Sequence, residues 1–127
     1  MLKREMEMKK SKPLAPTILA LAGAIAAALP VRADTAAAQK NYQTFCAKCH
    51  GDSGNGTGSA AATLSTKPRD FADCAAMQKI SDDTMFNVIK NGGKANGLSA
   101  DMQAWSDGFE DSEIHELVAY VRAFCKK

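Results

Sequence analysis

The stretch Cys46-Ala47-Lys48-Cys49-His50 constrains this 127-residue chain more than any other. On a helical turn, positions i and i+3 project from the same side. Two thiols therefore leave one face together, with an imidazole directly behind them. A zinc site would usually want a second ligand pair at similar spacing, yet Cys74 and Cys125 are isolated and His115 is the only other histidine. A thioredoxin-like pair would sit in a βαβ pattern, and no run of the chain reads as a strand of useful length. A porphyrin fits the pattern. Cys46 and Cys49 can add to the vinyl groups on one edge, and His50 can ligate the iron from one face. This is the attachment signature of c-type haem, with one haem expected.

The N-terminus supplies an address. Residues 1–13 are basic, residues 14–29 are apolar, and Pro30-Val31-Arg32-Ala33 follows. Such an order predicts a secretory signal peptide over 1–33, cleaved after Ala33, and one domain over 34–127. An uncleaved anchor is the competing reading, but the apolar run falls short of the span of about twenty residues a membrane helix needs. The signal removes six of the sixteen basic residues and two of the fourteen acidic ones. Ten basic and twelve acidic residues remain, a net charge of −2. That balance does not suit nucleic acid, and no stable membrane insertion is expected after cleavage. Localisation is expected to be periplasmic. Leftover thiols tend to pair in an oxidising compartment, so Cys74 and Cys125 are expected to form a disulfide, with two free thiols as the alternative. A domain of this size has a marginal apolar core, and a covalently held porphyrin would supply the missing apolar surface.

Taken in order, the chain predicts three main helices. The first runs from Asp34 to Lys48, capped by Asp34 or Thr35, with Ala38, Tyr42, Phe45 and Cys49 as its apolar stripe. Residues 51–79 read mostly as loop because Gly51, Gly54, Gly56 and Gly58 crowd together, with a short helical turn over Ala60–Leu64. Ser81 caps the second helix, Asp82 and Asp83 favour its dipole, and Gly92-Gly93 ends it. The last helix begins near Glu110–Ser112 and runs towards Phe124. Ile114, Leu117, Val118 and Val121 form its stripe, and Phe109 staples its start.

A helix ending in CAKCH, a glycine-rich loop, KPRDF, ISDDTMFNVIKNGG, DMQAW and EIHELVAYVRAF together resemble class I c-type cytochromes, most of all the small single-haem bacterial members. The resemblance covers essentially all of 34–127. It implies an all-α cytochrome c fold wrapped around one covalently bound haem, in which Ala38 and Tyr42 of the first helix meet the Tyr120 region of the last. The family often has a proline after the glycine-rich loop whose carbonyl steadies the proximal histidine, and Ser59 is expected to stand there. The proline that usually follows the ligand methionine is Gln103 here. The loop before the middle helix can pass near the last helix in this fold, as a Cys74–Cys125 bridge requires.

Met102 is the expected sixth iron ligand. It lies in a flexible segment beside Trp105, at the position that matches the family's ligand, and a thioether suits haem iron. Met77 is the reserve, Met85 reads as core, and His115 as solvent-facing. Trp105 reads either as a donor to a haem propionate or as packing on the ring. Arg69 reads either as a propionate partner or as a solvated side chain. Lys48, Lys67 and Lys94 either flank the haem edge and steer docking or are ordinary surface. The expected function is a periplasmic electron carrier, not an enzyme, working with donor and acceptor proteins as a monomer or as a subunit of a respiratory complex. Competing readings are a subunit that works only inside a larger oxidoreductase, and a peroxidase-like enzyme or gas sensor with a displaceable sixth ligand.

Overall fold

The alanine-rich start of the domain forms a helix as its composition demands. In the computed structural model, which describes residues 35–126, helix α1 spans Thr35–Asn41. The expected signal peptide, its cleavage site and Asp34 lie outside the described residues. A wider π turn over Tyr42–Cys46 follows, and α2 over Ala47–His50 continues from it. The π turn adds a residue to the local repeat. The buried positions therefore run Ala38, Tyr42, Ala47, and Phe45 is 46% exposed rather than part of the stripe. A regular 3.6-residue period cannot foresee that rotation.

A 3-10 turn covers Ala61–Thr63, and α3 covers Cys74–Met77 within the stretch expected to be loop. Asp73 caps α3 by accepting from the Ala76 N–H. Helix α4, Asp82–Ala95, opens on Ser81, whose side chain accepts from the Thr84 N–H. Its helical path breaks at Gly92, which sits at φ 81°. Helix α5, Asp111–Ala123, starts in a capping box, with the Glu113 carboxylate accepting from the Glu110 N–H. A 3-10 turn over Phe124–Lys126 ends the described chain. There are no strands among the described residues, and no helix there is long and apolar enough to cross a membrane.

Helices α1 and α5 pack together, as do α4 and α5. Tyr42 seals the first crossing, its ring centroid 5.2 Å from Tyr120 and 5.1 Å from Phe124. Its hydroxyl donates to the Gly51 carbonyl at 2.8 Å. Burial, followed by the neighbouring Cys46, pushes the Tyr42 pKa well above its ordinary 10.0. A raised phenol pKa means that folding disfavours the ionised form, so stability is lost as pH rises through the unfolded value. Tyr42→Phe is expected to cost about 1 kcal/mol at neutral pH, since the Gly54 N–H still serves the Gly51 carbonyl. Denaturant titrations should also show that the wild type loses more stability above about pH 10 than the variant does.

Arg122 ties α5 to the segment between α3 and α4. Its guanidinium donates to the Met77 and Ile80 carbonyls and pairs with Asp82 at 2.7 Å. The start of α3 is bound to the chain beyond α5 covalently, since Cys74 and Cys125 form a disulfide with a Cα separation of 5.1 Å.

Candidate haem-binding site

A helix end leaves its last carbonyls without intrahelical donors, and the Cys46–His50 turn is such an end. The glycine-rich loop folds back to serve it. The Gly51 N–H donates to the Ala47 carbonyl, Ala60 to Lys48, Gly58 to Cys49 and Gly56 to His50, at 2.8–3.1 Å. A side chain on Gly58 would collide with the Lys48 and Ala47 carbonyls. Glycine is thus required by close approach, and the loop holds the two thiols and the imidazole in one fixed orientation.

His50 is gripped from two further directions. Its Nδ1 lies 3.3 Å from the Arg69 carbonyl, and its ring stacks on Phe71 at 4.4 Å with planes 16° apart. An acceptor at Nδ1 calls for the proton there, which leaves Nε2 with a free lone pair for a metal. Burial lowers the imidazole pKa, partly opposed by that hydrogen bond, and so favours the neutral ligating form. The carbonyl contact that Ser59, at the family's proline position, left open is made after all, by the Arg69 carbonyl next to Pro68. Ser59 lines a separate surface depression instead. The missed signal was Pro68 itself, a proline after the glycine-rich loop but ten residues downstream of Gly58.

These residues face a cavity of about 810 Å³, within the general size range of cofactor pockets. Cys46, Cys49, His50 and Met102 all line it. Burial, followed by Cys49, pushes the Cys46 thiol up to about 11, so it stands as the neutral thiol at neutral pH. Both thiols are unpaired, and no cluster of three or more His, Cys, Asp or Glu residues suited to a metal ion occurs among the described residues. Among the described residues, the two large apolar side chains most exposed to solvent, Phe45 and Leu98, both line this cavity. A bulky flat apolar group is what would cover them.

All three methionines of the domain reach the cavity. Met77 and Met85 are 1% and 7% exposed and belong to the hydrophobic core. Met102 is less buried and sits in the loop after α4. The Gly93 N–H donates to its carbonyl at 2.7 Å, and a Cβ on Gly93 would strike the Ser99 carbonyl of that loop. Trp105 also lines the cavity, clustered with Phe45 and Phe109 at 5.4 and 5.5 Å. Arg69, Lys48 and Lys67 stand on the wall, and Lys94 does not. His115 is away from it, its ring stacked on Phe86 at 4.4 Å.

A helical fold that holds two thiols and one imidazole against a large apolar cavity defines a small c-type cytochrome. The sequence matches the family described as cytochrome c oxidase, cbb3-type, subunit III, over residues 33–121, and the chain belongs to that family. It is also similar to the solved structure of the KustC0563 c-type cytochrome. That likeness has 30% identity and a TM-score of 0.57, and it covers 68% of this chain and 95% of that one. No curated protein matches the chain. The family carries haem c, and its chemistry is haem-based electron transfer.

Proposed function

We propose that the protein is an exported electron carrier holding a single haem c, with Cys46 and Cys49 as the covalent anchors and His50 and Met102 as axial ligands. One observation carries the reading: those four side chains, and no second thiol pair, surround one 810 Å³ cavity. The haem iron, once bound, supplies a one-electron ferrous–ferric couple. The chain's own residues do the rest. The Arg69 carbonyl and Phe71 keep the imidazole from turning, which keeps ligation constant between oxidation states. Met102 lines the same cavity as His50, and its thioether would serve as the second ligand to the iron, which favours a carrier over an enzyme with an open ligand position.

The periplasm is the proposed compartment, supported by the signal-like N-terminus and by the Cys74–Cys125 bridge. Lys48 and Lys67, at the cavity, are the proposed docking charges for redox partner proteins. A second reading, a subunit acting within an oxidase complex, is favoured by the family's description.

Denaturing mass spectrometry of the periplasmically expressed protein is expected to show one haem retained per chain, and none on Cys46→Ala/Cys49→Ala. Haem that extracts freely from the wild type, or bound zinc in its place, would refute the proposal. Ferrous protein is expected to refuse carbon monoxide at neutral pH. Ready binding would point to the enzyme or gas-sensor class. Fast electron exchange of the purified protein with soluble donors would separate a free carrier from an obligate subunit.

A further inference from the structure

We infer that Ser65 and Asp101 form a latch that holds the Met102 loop closed across the cavity and sets how readily a foreign ligand displaces Met102. The inference rests on Met102 as the sixth ligand and goes beyond it. Asp101 is adjacent to Met102, and its Oδ2 is a point of convergence. The Ser65 N–H donates to it at 2.9 Å, the Ser65 hydroxyl donates to it as well, and the Ser99 hydroxyl donates at 3.1 Å. The Asp101 N–H in turn donates to Ser99 Oγ at 3.2 Å, so the carboxylate is held by its own loop and by a segment 36 residues away.

The position of that distant segment gives the latch its meaning. Leu64, Thr66, Pro68 and Arg69 line the cavity wall, and the Arg69 carbonyl accepts from His50. Ser65 therefore belongs to the stretch that supports one axial ligand, and Asp101 to the stretch that carries the other. On its far side the Met102 loop is tied to α4: the Gly93 N–H donates to the Met102 carbonyl, and the Trp105 and Ser106 N–H groups donate to the Ile89 and Lys90 carbonyls. These anchors all lie on α4, so they leave the Asp101 side of the loop free to open. The Ser65 bonds close the other end. The pair is exposed, so it adds little to global stability, but local opening is governed by such few contacts. Multiple hydrogen bonds to one ionised oxygen are stronger than a neutral pair.

The test uses the ferric holoprotein and imidazole as entering ligand, at concentrations where the rate no longer rises and so reports loop opening. Asp101→Ala, which removes both Ser65 bonds, is expected to raise that limiting rate by about two- to tenfold, the range a net hydrogen bond spans, and Ser65→Ala, which keeps the backbone N–H donor, is expected to raise it by a smaller factor. The double variant is expected to be no faster than Asp101→Ala, because the two residues act through one contact. Ser65→Thr, which keeps the hydroxyl, is expected to behave as wild type. All should keep the thioether–iron charge-transfer band and a nearly unchanged denaturation midpoint. Unchanged limiting rates, or effects of the two substitutions that simply multiply, would overturn the latch while leaving the ligand assignment intact. Retention of the band in Met102→Ala would instead remove the assignment, and the latch with it.

Discussion

Met102→Ala is expected to erase the thioether–iron charge-transfer band of the ferric protein and to let the ferrous form bind carbon monoxide. The reduction potential should also fall by on the order of 100 mV, a modest part of the range that axial ligands command. The physical ground is that a soft thioether favours the ferrous state, and that its loss opens the axial position to solvent and small ligands. The control is Met77→Ala. Met77 is 1% exposed and packed in the core, so its truncation is expected to cost about 2–5 kcal/mol of stability while the band survives. Optical spectra and voltammetry of the two variants decide between them. A band lost in Met77→Ala and kept in Met102→Ala would reverse the assignment.

Removing the Cys74–Cys125 bridge is expected to be the most damaging change outside the haem site. The cysteines lie 51 residues apart, and in the chain-entropy account closing a loop of that length stabilises the fold by about 4 kcal/mol. A small domain has a total margin of about 5–15 kcal/mol. The substitution Cys74→Ser with Cys125→Ser should therefore lower the guanidinium midpoint steeply. Spectral changes at the haem should be smaller, because Arg122 still fastens the Met77 and Ile80 carbonyls to α5. Alkylation of the unreduced, denatured wild type should label neither cysteine, and two labels would refute the bridge.

The helical fold and the motif order were legible in the sequence. The Ser81 cap, the break at Gly92 and the α5 stripe follow from local rules, and the structure shows them where those rules put them. Phe45 shows where such rules end. Its place in a 3.6-residue stripe was disrupted by the π turn, which moves the ring onto the cavity wall beside Trp105 and Phe109. Ser59 shows the same limit for a loop. Counting along the chain from the glycines could not reveal that the loop doubles back and presents the Arg69 carbonyl to His50.

By itself, the sequence determined how Cys46, Cys49 and His50 are placed relative to one another, since their spacing puts them within one helical turn. It likewise determined the helical elements, whose signals of cap, period and glycine are local. Only the tertiary structure decided which carbonyl and which ring hold His50, that Met77 and Met85 belong to the core while Met102 stays in a loop, and that Ser65 meets Asp101. Each of those depends on segments tens of residues apart being brought within hydrogen-bonding or packing range. Long-range closure is chosen by the fit of the whole core and leaves no periodic trace in the chain.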